Sequence, residues 1–114
     1  MTATLQTHIN FTAPTTLSDN VTPIPAGTPL TYTALIDTVN PPVKAYPVPA
    51  ANAPTAPGAA ATVTFAQLGF TPALFTTYYV TVLATDAAGN GPDAPIATFT
   101  YELPPGPVTN FSVG

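Results

Sequence analysis
From Thr76 onward the chain alternates without a break. Tyr78, Val80, Val82 and Ala84 fall on one side of an extended backbone, and Tyr79, Thr81, Leu83 and Thr85 on the other. Strict alternation of β-branched and aromatic residues predicts a half-buried strand. The strand runs into Asp86-Ala-Ala-Gly-Asn-Gly-Pro92. There Gly89 and Gly91 take positive φ cheaply and Asn90 tolerates it, which is turn chemistry. Alternation resumes from Ile96 to Tyr101, with Ala97, Phe99 and Tyr101 on one face. The two runs predict a β-hairpin with a longer loop.

The same period recurs upstream. Leu5, Thr7, Ile9, Phe11 and Ala13 alternate with Gln6, His8, Asn10 and Thr12, predicting a strand that ends at Pro14. Thr15 to Pro29 carries Ser18-Asp19-Asn20, Pro23, Pro25 and Gly27 and reads as a loop. Leu30, Tyr32, Ala34 and Ile36 form the next apolar face, with Thr31, Thr33 and Leu35 opposite. Thr62 to Leu68 predicts a further strand, with Val63 and Phe65 on one face. Between these strands, residues 37–61 are rich in Pro and Ala. Prolines at 41, 42, 47, 49, 54 and 57 forbid a central strand or a helix interior. A short edge strand near Val43 to Val48 fits, its prolines guarding it against further pairing. Stiff Pro-rich segments lose little entropy on docking. Residues 37–61 are therefore expected to contact a partner or a neighbouring copy, with Tyr46 and Val48 as contact residues.

Tyr78-x-Val80-x-Val82-x-Ala84-x-Asp86 followed by AAGNGPDAP resembles strands F and G of a fibronectin type III domain. In that family the first Tyr is the tyrosine corner, whose hydroxyl bonds to upstream backbone. Tyr78 matches that position. The family usually has a Leu six residues earlier in a short Leu-x-Pro turn. Here Leu68-Gly-Phe-Thr-Pro72 is followed by Ala73-Leu-Phe-Thr, which lengthens the corner. Ile9-x-Phe11-x-Ala13-Pro14 resembles strand B, where a Trp usually stands at the place of Phe11. Leu30-Tyr32-Ala34-Ile36 resembles strand C, and the run with Val63 and Phe65 resembles strand E. The resemblance implies an all-β antiparallel sandwich of about seven strands, fibronectin III-like or immunoglobulin-like, over residues 1–103. Tyr78, Phe11, Tyr32, Val80 and Val82 are its expected structural residues. It also implies a binding or spacing module, since that fold mostly serves as one.

Residues 104–114 form a Pro-rich linker and a strand-like tail. Val108-Thr-Asn-Phe-Ser-Val113 resembles a strand A, which the N-terminus lacks. Phe111 and Val113 share its apolar face and are further candidate contacts. The tail is expected to fill the strand A position, in its own chain or on a neighbour.

Composition narrows the function classes. There is no cysteine, so neither a disulfide nor a thiolate metal site is available. Only 5% of residues are charged, Lys44 is the sole strong cation, and the net charge is −4. Nucleic acid is not an expected partner. No apolar run approaches ~18 residues, so no membrane span is expected. At 46% hydrophobic the chain is too apolar for disorder despite its 16 prolines. Thr, Asn and Pro must cover its surface, which suits a neutral, crowded assembly.

No constellation carries catalytic chemistry. His8, the single histidine, falls on the polar face of its strand. Ser18 and Asp19 complete a set of triad residue types, but no spacing fixes their geometry. Asp86, Asn90 and Asp93 could offer oxygen to Ca²⁺, yet they lack the regular ligand spacing of an EF-hand loop, and turn capping explains them better. Asp86, Asp93 and Glu102 could supply a glycosidase carboxylate pair, without any aromatic cleft signal beside them. The Tyr46 and Tyr79 rings could meet carbohydrate or a partner protein; the plainer alternative is cross-strand packing. The expectation is a protein without enzymatic activity or cofactor whose partners are other protein subunits in a multi-copy assembly. Met1 is followed by neither a basic start nor an apolar core, so no secretion signal is read. A virion protein leaves the cell by lysis and needs none. A structural protein of a bacteriophage virion, such as a capsid decoration or appendage, is the leading class. The alternative is an accessory module of a secreted bacterial enzyme or adhesin, in contact with polysaccharide. The expected location is virion or extracellular.

Overall fold
A computed structural model describes residues 7–110 and 112–114. It is mostly β, with 36% strand against 7% helix, and its two antiparallel sheets do not close into a barrel. The strands are β1 (His8–Thr12), β2 (Thr31–Asp37), β3 (Ala45–Pro47), β4 (Ala60–Thr64), β5 (Thr77–Asp86), β6 (Gly89–Asn90) and β7 (Ala97–Thr100). A single 3₁₀ turn spans Ala50–Asn52, and one helical turn, α1, spans Phe65–Leu68. One sheet pairs β1 with β4, Ile9 opposite Val63. The other runs β3-β2-β5, with β6 and β7 both on the far side of β5.

The core lies between the sheets. Tyr32, Ala34 and Ile36 of β2, and Tyr78 and Val80 of β5, face Val63 of β4 and Ala13, with Ile9 and Phe11 partly buried beside them. These are the positions that alternation assigns to one side of each strand. Val82 and Ala84 continue the β5 row but are only partly buried. Thr81 is buried on the opposite face, where a flat alternation leaves it exposed. The chain from Gly91 to Ile96 swings across that face: Thr81 Oγ1 donates to the Ala94 carbonyl at 2.7 Å, and the Ala94 N–H donates to the Val82 carbonyl at 3.0 Å. The expected long hairpin loop is thus a tight turn into β6, a detour, and then β7. Gly89 takes φ 128° in that turn.

The strand expected over Thr62 to Leu68 is corrected. It occupies Ala60–Thr64 and gives way to α1 at Phe65. Thr64 and Gln67 form a reciprocal capping box: the Gln67 N–H donates to Thr64 Oγ1 at 3.1 Å, and the Thr64 N–H donates to Gln67 Oε1 at 2.9 Å. Gly69 ends the turn at φ 74°, a left-handed position that costs a glycine little. The Phe70 N–H then returns to the Phe65 carbonyl at 2.9 Å, and the two rings meet edge to face at 5.1 Å. That apolar contact commonly accompanies such a helix end.

The result is an aromatic cluster at one end of the core. Phe70 meets Tyr46 at 5.4 Å and Tyr78 at 5.1 Å, both edge to face, while Phe99 stacks on Phe65 and Tyr78 at 5.4 Å each. Edge-to-face and offset pairs add about 0.5–1.5 kcal/mol each beyond the area they bury. At the other end Phe11 sits tilted on Tyr32 at 5.2 Å.

Candidate functional site
The residues expected to carry function do not converge on one chemical centre. Asp19 is occupied by its own turn, taking the Val21 and Thr22 N–H groups at 2.9 Å each and the Thr22 hydroxyl. The Thr22 hydroxyl bond comes first, and the two backbone bonds with it, in holding the Asp19 carboxyl below its ordinary pKa. Its loop abuts the β5–β6 turn, whereas His8 stands at the opposite end of β1 beside Thr7. Ser18, Asp19 and His8 are therefore not assembled. Asp86 Oδ1 accepts the Ala88 N–H at 2.8 Å, and Asn90 Oδ1 accepts the Thr85 hydroxyl at 2.7 Å, which is turn capping. No group of three or more His, Cys, Asp or Glu able to hold a metal occurs among the described residues. No described helix is long and apolar enough to cross a membrane.

The Tyr78 hydroxyl accepts the Ala73 N–H at 2.8 Å, so upstream backbone is its partner even across the lengthened corner. The corner carries a cost at Phe75. Its φ of 56° lies in the left-handed region, which a bulky side chain adopts rarely. The Tyr101 carbonyl accepts the Phe75 N–H at 2.7 Å, and the ring is 78% exposed beside an exposed Leu74. Neither residue stands out by hydrophobic period. What marks them in the sequence is the Ala73-Leu-Phe-Thr insert between Pro72 and Tyr78, too long for the short turn it replaces.

The expected contact surface in residues 37–61 is corrected in part. Val48 is a core residue, its N–H donating to the Tyr32 carbonyl at 3.0 Å, and is not free for a partner. Tyr46 is half-buried; its ring leans on Phe70, and the Lys44 ammonium lies 5.6 Å from its centre. Tyr46 pairs with Ala34 on the core face, while Tyr79 pairs with Asp37 on the outer face. The two rings lie on opposite sides of the sheet and make no common platform for a sugar. The Asp37 carboxylate organises the turn after β2, accepting the Thr38 N–H at 2.8 Å and the Val43 and Lys44 N–H groups at 3.4 and 3.3 Å. The Thr38 bond is the largest cause that lowers its pKa.

A shallow apolar cavity of about 420 Å³ lies where this segment meets the loop before β2, lined by Ile24, Leu30, Tyr32, Val48, Ala53 and Pro54 among others. The Tyr32 hydroxyl is buried without a hydrogen-bond partner. Burial pushes its pKa above the ordinary value.

The tail differs in every respect. Residues 102–110 and 112–114 are exposed and form no strand, with Val108 83% and Val113 91% exposed. Along these residues the tail does not fill a strand A position on its own chain. Phe111, the other expected contact, lies outside the described residues.

Comparison with known protein families, with characterised proteins and with solved structures finds no match.

Proposed function
We propose that this chain is a non-enzymatic structural module of the fibronectin III or immunoglobulin-like sandwich kind. Its place is in a multi-copy protein assembly, for which the surface of a bacteriophage virion is the best candidate. The observation that carries this reading is a two-sheet body with one continuous core, from which an uncharged arm with exposed valines projects. The pairing of β1 with β4, facing β2, β5 and β7, fits the division of strands B and E from C, F and G in that fold. The Tyr78 corner fits it too. A surface of Thr, Pro and Asn with few charges suits packing among neutral neighbours. The arm also favours a second reading, a linker toward a following domain in a secreted enzyme or adhesin.

Electron microscopy with a gold-labelled antibody against this chain separates the two. Regular labelling of particles released on lysis is the expected result. Label confined to a secreted polypeptide that also carries a catalytic domain overturns the virion reading.

A further inference from the structure
The bare edge of β1 is the best strand-accepting edge among the described residues. The Phe65 N–H donates to the Thr7 carbonyl and the Ala13 N–H to the Ala59 carbonyl, each at 2.9 Å. Odd-numbered residues of β1 therefore turn their backbone groups toward β4, and His8, Asn10 and Thr12 turn theirs outward. Exposed rows of that kind template the pairing of another strand. The competing edges are protected. β3 is three residues long, ends in Pro47 and is followed by Pro49. The 3₁₀ turn at Ala50–Asn52 lies against β4. β7 has four residues, with Pro95 before it and Pro104 and Pro105 after it. No proline interrupts residues 7–13.

The arm supplies what that edge lacks. It leaves from Tyr101, whose N–H donates to the Thr76 carbonyl. This is the end of the body at which β1 begins, as the stacking of Phe65 on Phe99 shows. Pro104, Pro105 and Pro107 stiffen its base. Eleven residues from Pro104 reach roughly 35 Å when extended. Val108 and Val113 stand almost wholly in water. Asn110 sits at φ 55° and must extend on docking, a change that costs Asn little because it visits both regions.

We infer that the arm of one copy adds as a strand to the β1 edge of a second copy. This rests on the reading of the chain as an assembly module and names its partner. Each copy gives one arm and accepts one, so the contact is head-to-tail and grows into chains or closed rings. Neither the edge nor residues 103–114 carry a charged side chain at pH 7, so the association depends only weakly on salt.

Sedimentation of the full-length protein over a range of concentrations, with amide exchange read at each, tests the contact. The expected result is a ladder of oligomers, with exchange at His8, Asn10 and Thr12 slowing at least tenfold as they form. Two variants then divide the contact. Val108→Asp with Val113→Asp spoils the arm without touching the body, and Asn10→Pro removes an outward donor from the edge. Each alone stays monomeric, and their mixture forms a one-to-one complex, since the first keeps a good edge and the second a good arm. A native melting temperature for the arm variant shows that its loss of assembly is not unfolding. Monomers at every concentration with rapid exchange at the three amides overturn the inference, as does association that survives the arm variant. Either failure leaves the virion reading standing if particles are still labelled, because the module then binds a different protein.

Discussion
Residues 37–61 and 104–114 are both rich in proline, and both read as stiff segments awaiting a partner. The first is sewn to the body. Asp37 gathers the Thr38, Val43 and Lys44 N–H groups, Tyr46 leans on Phe70, and Val48 is sunk in the core. The second has none of these anchors; its described residues are exposed. Proline removes donors and fixes φ in both, but it does not decide whether a segment docks. That is decided by apolar side chains with a facing pocket, and by backbone groups with acceptors in reach.

The sharpest way to break this comparison is to make one change in both segments. Val48→Asp is expected to cost about 3 kcal/mol or more, because it buries an unpaired charge among apolar neighbours. Val113→Asp is expected to leave the urea midpoint of dilute, monomeric protein unchanged. Equal midpoints for the two variants would mean that residues 37–61 are as loosely held as the arm.

The contrast also marks where the sequence could be read. β2 and β5 were legible because one face of each is buried and the other is not, so Tyr32, Ala34, Ile36, Tyr78 and Val80 announce themselves by period. Thr81 was not, because the Gly91–Ile96 detour covers it from a distance along the chain. The end of β4 was legible in principle: Thr64-Phe-Ala-Gln67 followed by Gly69 spells a cap, a helical turn and a stop. The period of Val63 and Phe65 masked it, since both are buried under either reading. The burial of Val48 is not legible from its neighbours, because proline says what a segment cannot be, not where its valine goes. The open edge beside β1 was legible in outline, because the strand that the resemblance places there is matched by Val108 to Val113 and not by anything before His8.

Tyr78→Phe tests the frame on which the Pro-rich segment docks. It removes the acceptor of the Ala73 N–H and is expected to cost about 1 kcal/mol in urea unfolding. An unchanged midpoint would show that packing of Tyr78 against Phe70 and Phe99 holds the corner without its hydroxyl.

Asp37 offers a gentler way to loosen the sewn segment. Its carboxyl titrates below the ordinary 3.8 because the folded chain bonds to its charged form, Thr38 first. A depressed folded pKa contributes stability that is present above 3.8 and lost as the pH falls through the folded value. In dilute, monomeric protein, acidification is therefore expected to quicken amide exchange at Val43 and Lys44, beyond the intrinsic change with pH, while exchange in residues 102–110 follows the intrinsic change alone. Asp37→Asn should produce the same local quickening at neutral pH. Protection at Val43 and Lys44 that survives both would place the anchor elsewhere.

The smallest expected effect lies beneath the sewn segment, at Tyr32. Its side chain is buried where Val48 crosses it, and its hydroxyl has no partner. Burying a hydroxyl without a bond is costly, so Tyr32→Phe should be neutral or stabilise by up to about 1 kcal/mol. The sign of its pH dependence follows from the raised pKa. Above about pH 10 the unfolded tyrosine ionises while the folded one keeps its proton. The unfolded state then binds fewer protons, and the stability of the native protein falls with rising pH. The variant has no such group at this position. Its advantage over the native chain should therefore be constant up to about pH 9 and widen beyond pH 10. Urea midpoints for both proteins at intervals from pH 7 to 11 decide the matter. A gap that stays constant across the whole range would mean that the hydroxyl reaches water after all, and that the Pro-rich segment covers Tyr32 less tightly than Val48 suggests.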